Sequence, residues 1–188
     1  MMTNANIESK TRGFLLPLCA LLAFLLLSVG SQARAQTVTM IGPTTKVNGQ
    51  LVKLQSFSSQ DSYLRHYFFL GNLNKIATQQ EVSDSTFKIN AGKAGPGTVS
   101  FESTNFPGMY LRHFLFRLTL MLQTPDPLFR SDASFKVVAG LADKTWVSLE
   151  SVNFPGFYLH LRGSEFWLDA KGTDPQYLKD ATFRIIVK

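Results

Sequence analysis

Cysteine is almost missing from this 188-residue chain, where Cys19 is the only one. No intrachain disulfide can form, so the fold has to stand on packing alone. No Asn-x-Ser/Thr sequon occurs, which excludes N-glycosylation. Histidine is scarce at three residues, and their spacing offers no clustered metal ligands. A Gly-x-Ser-x-Gly nucleophile turn is lacking too, and no cofactor is implied. Lysine and arginine total 19 against 13 acidic residues, a formal charge of +6, yet the cations are scattered singly. Without a clustered basic stripe, no nucleic-acid partner is expected.

Long apolar runs are as rare. The single one, Phe14 to Val29, covers 16 positions with Pro17 inside it, short of the roughly 20 residues that span a bilayer as a helix. Lys10 and Arg12 precede it and Ala33-Arg34-Ala35 follows, the order of a secretory signal peptide. Cleavage after Ala35 is expected, an uncleaved anchor being the alternative. It would remove Cys19, three cations and one carboxylate, leaving residues 36–188 with a charge of +4. The expected product is an extracellular, monomeric domain with no membrane contact after cleavage, sized for one core.

What remains is dominated by a repeat. Val52-Lys-Leu-Gln-Ser56, Val99-Ser-Phe-Glu-Ser103 and Val147-Ser-Leu-Glu-Ser151 recur at intervals of 47 and 48 residues. Tyr63-Leu-Arg-His66, Tyr110-Leu-Arg-His113 and Tyr158-Leu-His-Leu161 follow in the same register, and Asp84-Ser-Thr-Phe87, Asp132-Ala-Ser-Phe135 and Asp180-Ala-Thr-Phe183 close each unit. Apolar residues alternate within units, as half-buried strands require, and no segment after residue 35 shows helical spacing. Asn105-Phe-Pro-Gly108 and Asn153-Phe-Pro-Gly156 place Pro-Gly where a type II turn wants it, whereas Ser58-Ser-Gln-Asp61 predicts a looser first turn. About four strands per unit, over units of about 50–97, 98–145 and 146–188, predict an all-β fold. A threefold closed barrel, the β-trefoil, removes free edges; a propeller would typically need at least four blades.

The run Val99-Ser-Phe-Glu-Ser-Thr-Asn-Phe-Pro-Gly-Met-Tyr-Leu-Arg-His113, followed by Phe129-Arg-Ser-Asp-Ala-Ser-Phe135, resembles the arabinose-binding domain of α-L-arabinofuranosidase B. That resemblance implies a β-trefoil carbohydrate-binding module for arabinofuranosyl side chains of arabinoxylan and arabinan, normally joined to a catalytic domain. Carried over by position, it implies ligand-binding pairs His66 with Asp84 and His113 with Asp132, and Asp180 without an aligned histidine. The third unit departs from the pattern, with Leu161 at the histidine position and His160 at the arginine position. His160 would reach inward only if its strand carried a bulge. An asparagine that commonly follows the family's histidine by two positions is replaced by Phe68 and Leu115, which removes a polar arm from both remaining lobes.

These residue types suit a sugar. A carboxylate accepts from two hydroxyls at once, and a neutral imidazole offers one donor and one acceptor. Tyr67 and Phe114 are the aromatics expected to cover the apolar edge of the ring. Each has a plainer alternative: the aspartates as turn residues bonding backbone amides, the histidines as satisfied strand ends, and Arg65 and Arg112 as solvated or salt-bridged side chains. Phe87, Phe135 and Phe183 read as core, as do Tyr63, Tyr110 and Tyr158.

The expected partner is therefore an arabinofuranose-bearing polysaccharide, without intrinsic catalysis. Glycoside hydrolysis usually needs two carboxyls facing one bond, and the repeated aspartates fall one per lobe. A protein-interaction trefoil and an α-L-arabinofuranosidase in its own right are the alternatives.

Overall fold

The computed structural model of the chain describes residues 48–188, so the expected signal segment and Cys19 lie outside the described residues. Elements run β1 (Gln50–Ser56), β2 (Ser62–Tyr67), β3 (Leu70–Lys75), α1 (Gln79–Asp84), β4 (Phe87–Ala91), then β5 (Val99–Ser103), β6 (Met109–Phe114), β7 (Arg117–Leu122), α2 (Pro127–Asp132), β8 (Phe135–Ala139). They finish with β9 (Val147–Ser151), β10 (Phe157–Arg162), β11 (Glu165–Ala170), α3 (Pro175–Asp180) and β12 (Phe183–Val187). All twelve strands pair antiparallel.

Six strands close a ring: β1 pairs with β4, β4 with β5, β5 with β8, β8 with β9, β9 with β12, and β12 with β1. Closure leaves none of these six an open edge. The other six form three hairpins, β2–β3, β6–β7 and β10–β11, whose second strands pair with one another as a triangular cap. A six-stranded barrel capped by three hairpins is a β-trefoil.

Period-two alternation decides which side chains fill the barrel. Val52, Leu54, Phe87, Ile89, Phe101, Phe135, Leu149, Phe183 and Ile185 are buried in one core together with Leu64, Leu111, Leu159 and Phe166 from the cap. The repeated phenylalanines are core as expected, and Tyr110 is buried, while Tyr63 and Tyr158 are only half-buried.

The cap is locked by backbone reach between units. Leu120 N–H donates to Phe69 O at 2.7 Å, Leu168 N–H to Phe116 O at 2.7 Å, and Leu73 N–H to Ser164 O at 2.8 Å. Each hairpin turn thus supplies an acceptor to its neighbour. At the centre the buried Arg117 guanidinium donates to Gly71 O at 2.7 Å and Phe166 O at 2.5 Å, tying β3, β7 and β11 together. On alternation alone Arg117 sits at a polar strand position, and only the triangular packing turns it inward.

Three six-residue helices correct the expectation of no helix. They are too short to show a 3.6-residue apolar stripe, but their start signals are local. Thr78 and Glu81 form a capping box on α1, Asp126 caps α2 with Pro127 behind it, and Pro175 opens α3 after Asp174.

Candidate functional site

The helices place the repeated aspartates. Asp84 and Asp132 are the last residues of α1 and α2, and both are buried. Their carboxylates bond side chains, which corrects the reading of Asp as a backbone-bonding turn residue at a strand entrance. Asp84 accepts from Gln80 Nε2 at 2.7 Å and Asn105 Nδ2 at 2.8 Å, with His66 Nε2 at 3.5 Å. Asp132 accepts from Asn153 Nδ2 at 2.6 Å and from Arg112, with His113 Nε2 at 3.3 Å.

The polar arm that the first two units lacked comes from elsewhere in the chain. Asn105, from the turn after β5, bonds His66 at 3.0 Å and Asp84; Asn153, from the turn after β9, bonds His113 at 2.9 Å and Asp132. Each pocket is therefore built across two units, His and Asp from one and Asn from the next. The turns that deliver these asparagines are type II as expected: Gly108 and Gly156 have φ +83°, and Met109 and Phe157 N–H close onto Phe106 and Phe154 O at 3.0 Å. Glu102 and Glu150 brace them, accepting from Gly108 N–H at 2.9 Å and Gly156 N–H at 2.8 Å. The first unit's turn carries no positive φ but is closed by a Ser62 N–H bond to Ser59 O at 3.0 Å.

The hydrogen-bond network fixes the tautomer. Asn153 Nδ2 donates to Asp132, so its Oδ1 accepts, from Ser151 Oγ at 2.9 Å and from His113 Nε2. The proton therefore sits on Nε2, which leaves Nδ1 of the neutral ring as an acceptor. Burial pushes the His113 pKa below its ordinary value against the opposing pull of Asn153 and Asp132.

Phenylalanines form the walls. His66 stacks with Phe69 at 6.4 Å between centroids and meets Phe106 edge-on at 5.4 Å; His113 does the same with Phe116 at 6.3 Å and Phe154 at 5.4 Å. The first cleft, of about 130 Å³, is lined by His66, Phe68, Phe69, Gln80, Asp84 and Phe106. The second, of about 200 Å³, includes His113, Phe114, Leu115, Phe116, Asp132 and Phe154. Phe114 is among the residues that line the second cleft. Tyr67 is not among those of the first; its ring lies under the Arg65 guanidinium at 4.9 Å. Arg65 and Arg112 are buried and ion-paired rather than solvated. Arg65 bridges Glu81 at 2.8 Å and Asp84 at 3.7 Å, and Arg112 pairs with Asp132. Backbone N–H groups of Ala77 and Thr78 hold the Glu81 pKa down to about 2.

The third unit brings no such set together. β10 pairs with β11 in unbroken register from Phe157–Ala170 to Arg162–Glu165, so no bulge turns His160 inward. His160 Nδ1 bonds Asp169 at 2.9 Å and its ring stacks on Tyr177 at 4.3 Å. Asp180 is half-buried and accepts from Gln176 at 3.0 Å. Leu161 is buried at the histidine position, and Ser58, exposed, stands where the other two pockets have asparagine.

Two clefts on a β-trefoil, each with a buried carboxylate and imidazole on its floor, aromatic walls, and an asparagine of the next unit bonded to both polar groups, are the site that the fold presents. The chain belongs to the alpha-L-arabinofuranosidase B (ABFB) domain family, which matches residues 52–185. That membership supports a carbohydrate-binding role. Among curated proteins none matches the chain. Of solved structures, a GH54 α-L-arabinofuranosidase soaked with a cyclic sulfate inhibitor is similar at 24% identity and a TM-score of 0.70, covering 78% of this chain and 32% of its own. An arabinofuranosidase complexed with arabinofuranosyl-α-1,2-xylobiose is similar at 23% identity and a TM-score of 0.70, covering 79% and 32%. SeviL, bound to the asialo-GM1 saccharide, shares the fold at 8% identity and a TM-score of 0.57, covering 74% and 98%. The chain thus spans about a third of the arabinofuranosidase structures it matches.

Proposed function

We propose that the protein is a secreted, non-catalytic module that binds arabinofuranosyl side chains of plant polysaccharides such as arabinoxylan and arabinan through the His66–Asn105–Asp84 and His113–Asn153–Asp132 pockets. The observation that carries this reading is the recurrence of one His–Asn–Asp set in two lobes, its imidazole and carboxylate buried, and the joint loss of His and Asn in the third. Packing of Leu161 serves the third lobe where the polar set is lost, so the fold itself does not require that set, and a ligand duty accounts for its retention in the other two. Family membership and the arabinofuranosyl ligand held by a similar enzyme point to the sugar. What supports the non-catalytic reading is the supply of carboxylates. Each pocket lining includes one, where glycoside hydrolysis uses a facing pair. Two pockets on one rigid barrel favour a branched polymer, because the second contact is made at high effective concentration.

The test is affinity electrophoresis of residues 36–188 through arabinoxylan and through debranched arabinan, beside the double variant His66→Leu, His113→Leu. The fold already accepts leucine at this position, at Leu161. Retardation by the branched polymer that vanishes in the folded double variant is expected. Equal mobility of both proteins in both gels would refute the assignment.

A further inference from the structure

The hairpin turns at the mouths of the two pockets are built against local preference. β2 and β3 are joined by Phe68 and Phe69 at φ +48° and +63°, and β6 and β7 by Leu115 and Phe116 at φ +49° and +64°. Two-residue turns with positive φ at both positions strongly prefer Asn-Gly, and bulky residues there are strained. The second residue of each pair earns its place as a pocket wall and as a carbonyl acceptor in the cap. The first does not: Phe68 and Leu115 are each 79% exposed, the most exposed large apolar side chains described. Phe68 meets the exposed Tyr67 ring edge-on at 4.6 Å, but an apolar side chain left largely in water adds little stability to the free protein, and strain of this kind tends to persist where a ligand uses it.

The third hairpin supplies an internal control. Its turn is Gly163-Ser164, with positive φ at the glycine alone, and it belongs to the unit without the His and Asn. Strained apolar tips therefore occur where the polar set is complete and are absent where it is not. Both tips also line their clefts, Phe68 the first and Leu115 the second.

Position in the cleft says what a tip touches. The polar groups lie on a buried floor, with His66 and His113 each 4% exposed, and the tips stand at the rim. A side-chain sugar is attached to its polymer through one carbon, so it enters with its free hydroxyls toward the floor and its linkage outward. The rim then faces the sugar to which it is linked. Hydroxyls of a chair pyranose project sideways and leave flat C–H faces, which an exposed aromatic or aliphatic surface covers well.

We infer that Phe68 and Leu115 are aglycone-contact residues: they cover the pyranose of the main chain that carries the arabinofuranosyl unit and so favour arabinosylated xylan over arabinan. This rests on the arabinofuranose reading of the pockets.

The test uses isothermal titration of residues 36–188 and the double variant Phe68→Asn, Leu115→Asn. Asparagine tolerates the left-handed backbone, so the variant is expected to melt no lower than the parent. The probes are methyl α-L-arabinofuranoside and arabinofuranosyl-α-1,2-xylobiose. The parent is expected to bind the trisaccharide about tenfold more tightly than the monosaccharide, and the variant to bring that ratio close to one. Equal affinity of the parent for the two probes, an unchanged variant, or a variant weakened equally for both would each overturn the aglycone contact. Binding of neither probe by the parent would overturn the pocket reading itself, and the aglycone contact with it.

Discussion

Asn153 is the joint between two units, and Asn153→Ala measures what the joint is worth. The carboxamide makes three bonds, to Asp132 at 2.6 Å, His113 at 2.9 Å and Ser151 at 2.9 Å. Truncation leaves His113 Nε2–H and one Asp132 oxygen without that partner. A fully buried orphan costs about 1–3 kcal/mol, but water can enter this cleft and His113 retains Asp132 at 3.3 Å. The loss is therefore about 2 kcal/mol in all, or roughly 6 °C in melting temperature for a domain of this size. Urea and thermal unfolding of residues 36–188 give both figures. Ser58→Ala is the matched control at the equivalent first-unit position, exposed and bonded only to Ser56 Oγ at 3.0 Å, with an expected change under about 0.5 kcal/mol. Equal, small losses in the two variants would refute the view that pocket polarity also clamps the units together.

Two further outcomes follow from the same geometry. His113 has its pKa lowered by burial, so below the ordinary value of 6.5 the unfolded chain binds the proton first; stability is full above that pH and falls as pH drops toward the folded pKa. His113→Leu should flatten that acid limb in unfolding titrations between pH 7 and 5, and an unchanged limb would assign it to other groups. Arg117→Ala removes the guanidinium fork that bonds Gly71 O and Phe166 O and should cost about 3 kcal/mol, with amide exchange accelerated in all three hairpins. Arg117→Lys, a point charge without the fork, should recover less than half of the loss; full recovery would show that charge alone centres the cap.

How far each layer of the molecule was readable depends on the range of the forces that set it. Alternating strands, Pro-Gly turns and phenylalanines at 48-residue intervals are local or periodic features, and each appears in the structure where the sequence places it. The short helices were legible only through their caps, Thr78 with Glu81, Asp126 with Pro127 and Asp174 with Pro175, because six residues are too few for a periodic stripe.

What packing alone decided is the company that each residue keeps. His66 and Asp84 share a unit, but Asn105 reaches them because the β4–β5 hairpin between the units sets Ser103 opposite Phe87; the sequence shows that asparagine as a turn residue. Tyr67 and Phe69 are two positions apart, yet hairpin geometry sends the second to the histidine and leaves the first under Arg65. His160 goes to Asp169 because the β10–β11 ladder holds its register without a bulge. The sequence by itself thus determined the strands, their threefold spacing and the types of polar group, all fixed by backbone periodicity and turn chemistry. Which of those groups meet was decided by the closed barrel and its cap, since contacts between units depend on the whole ring being formed.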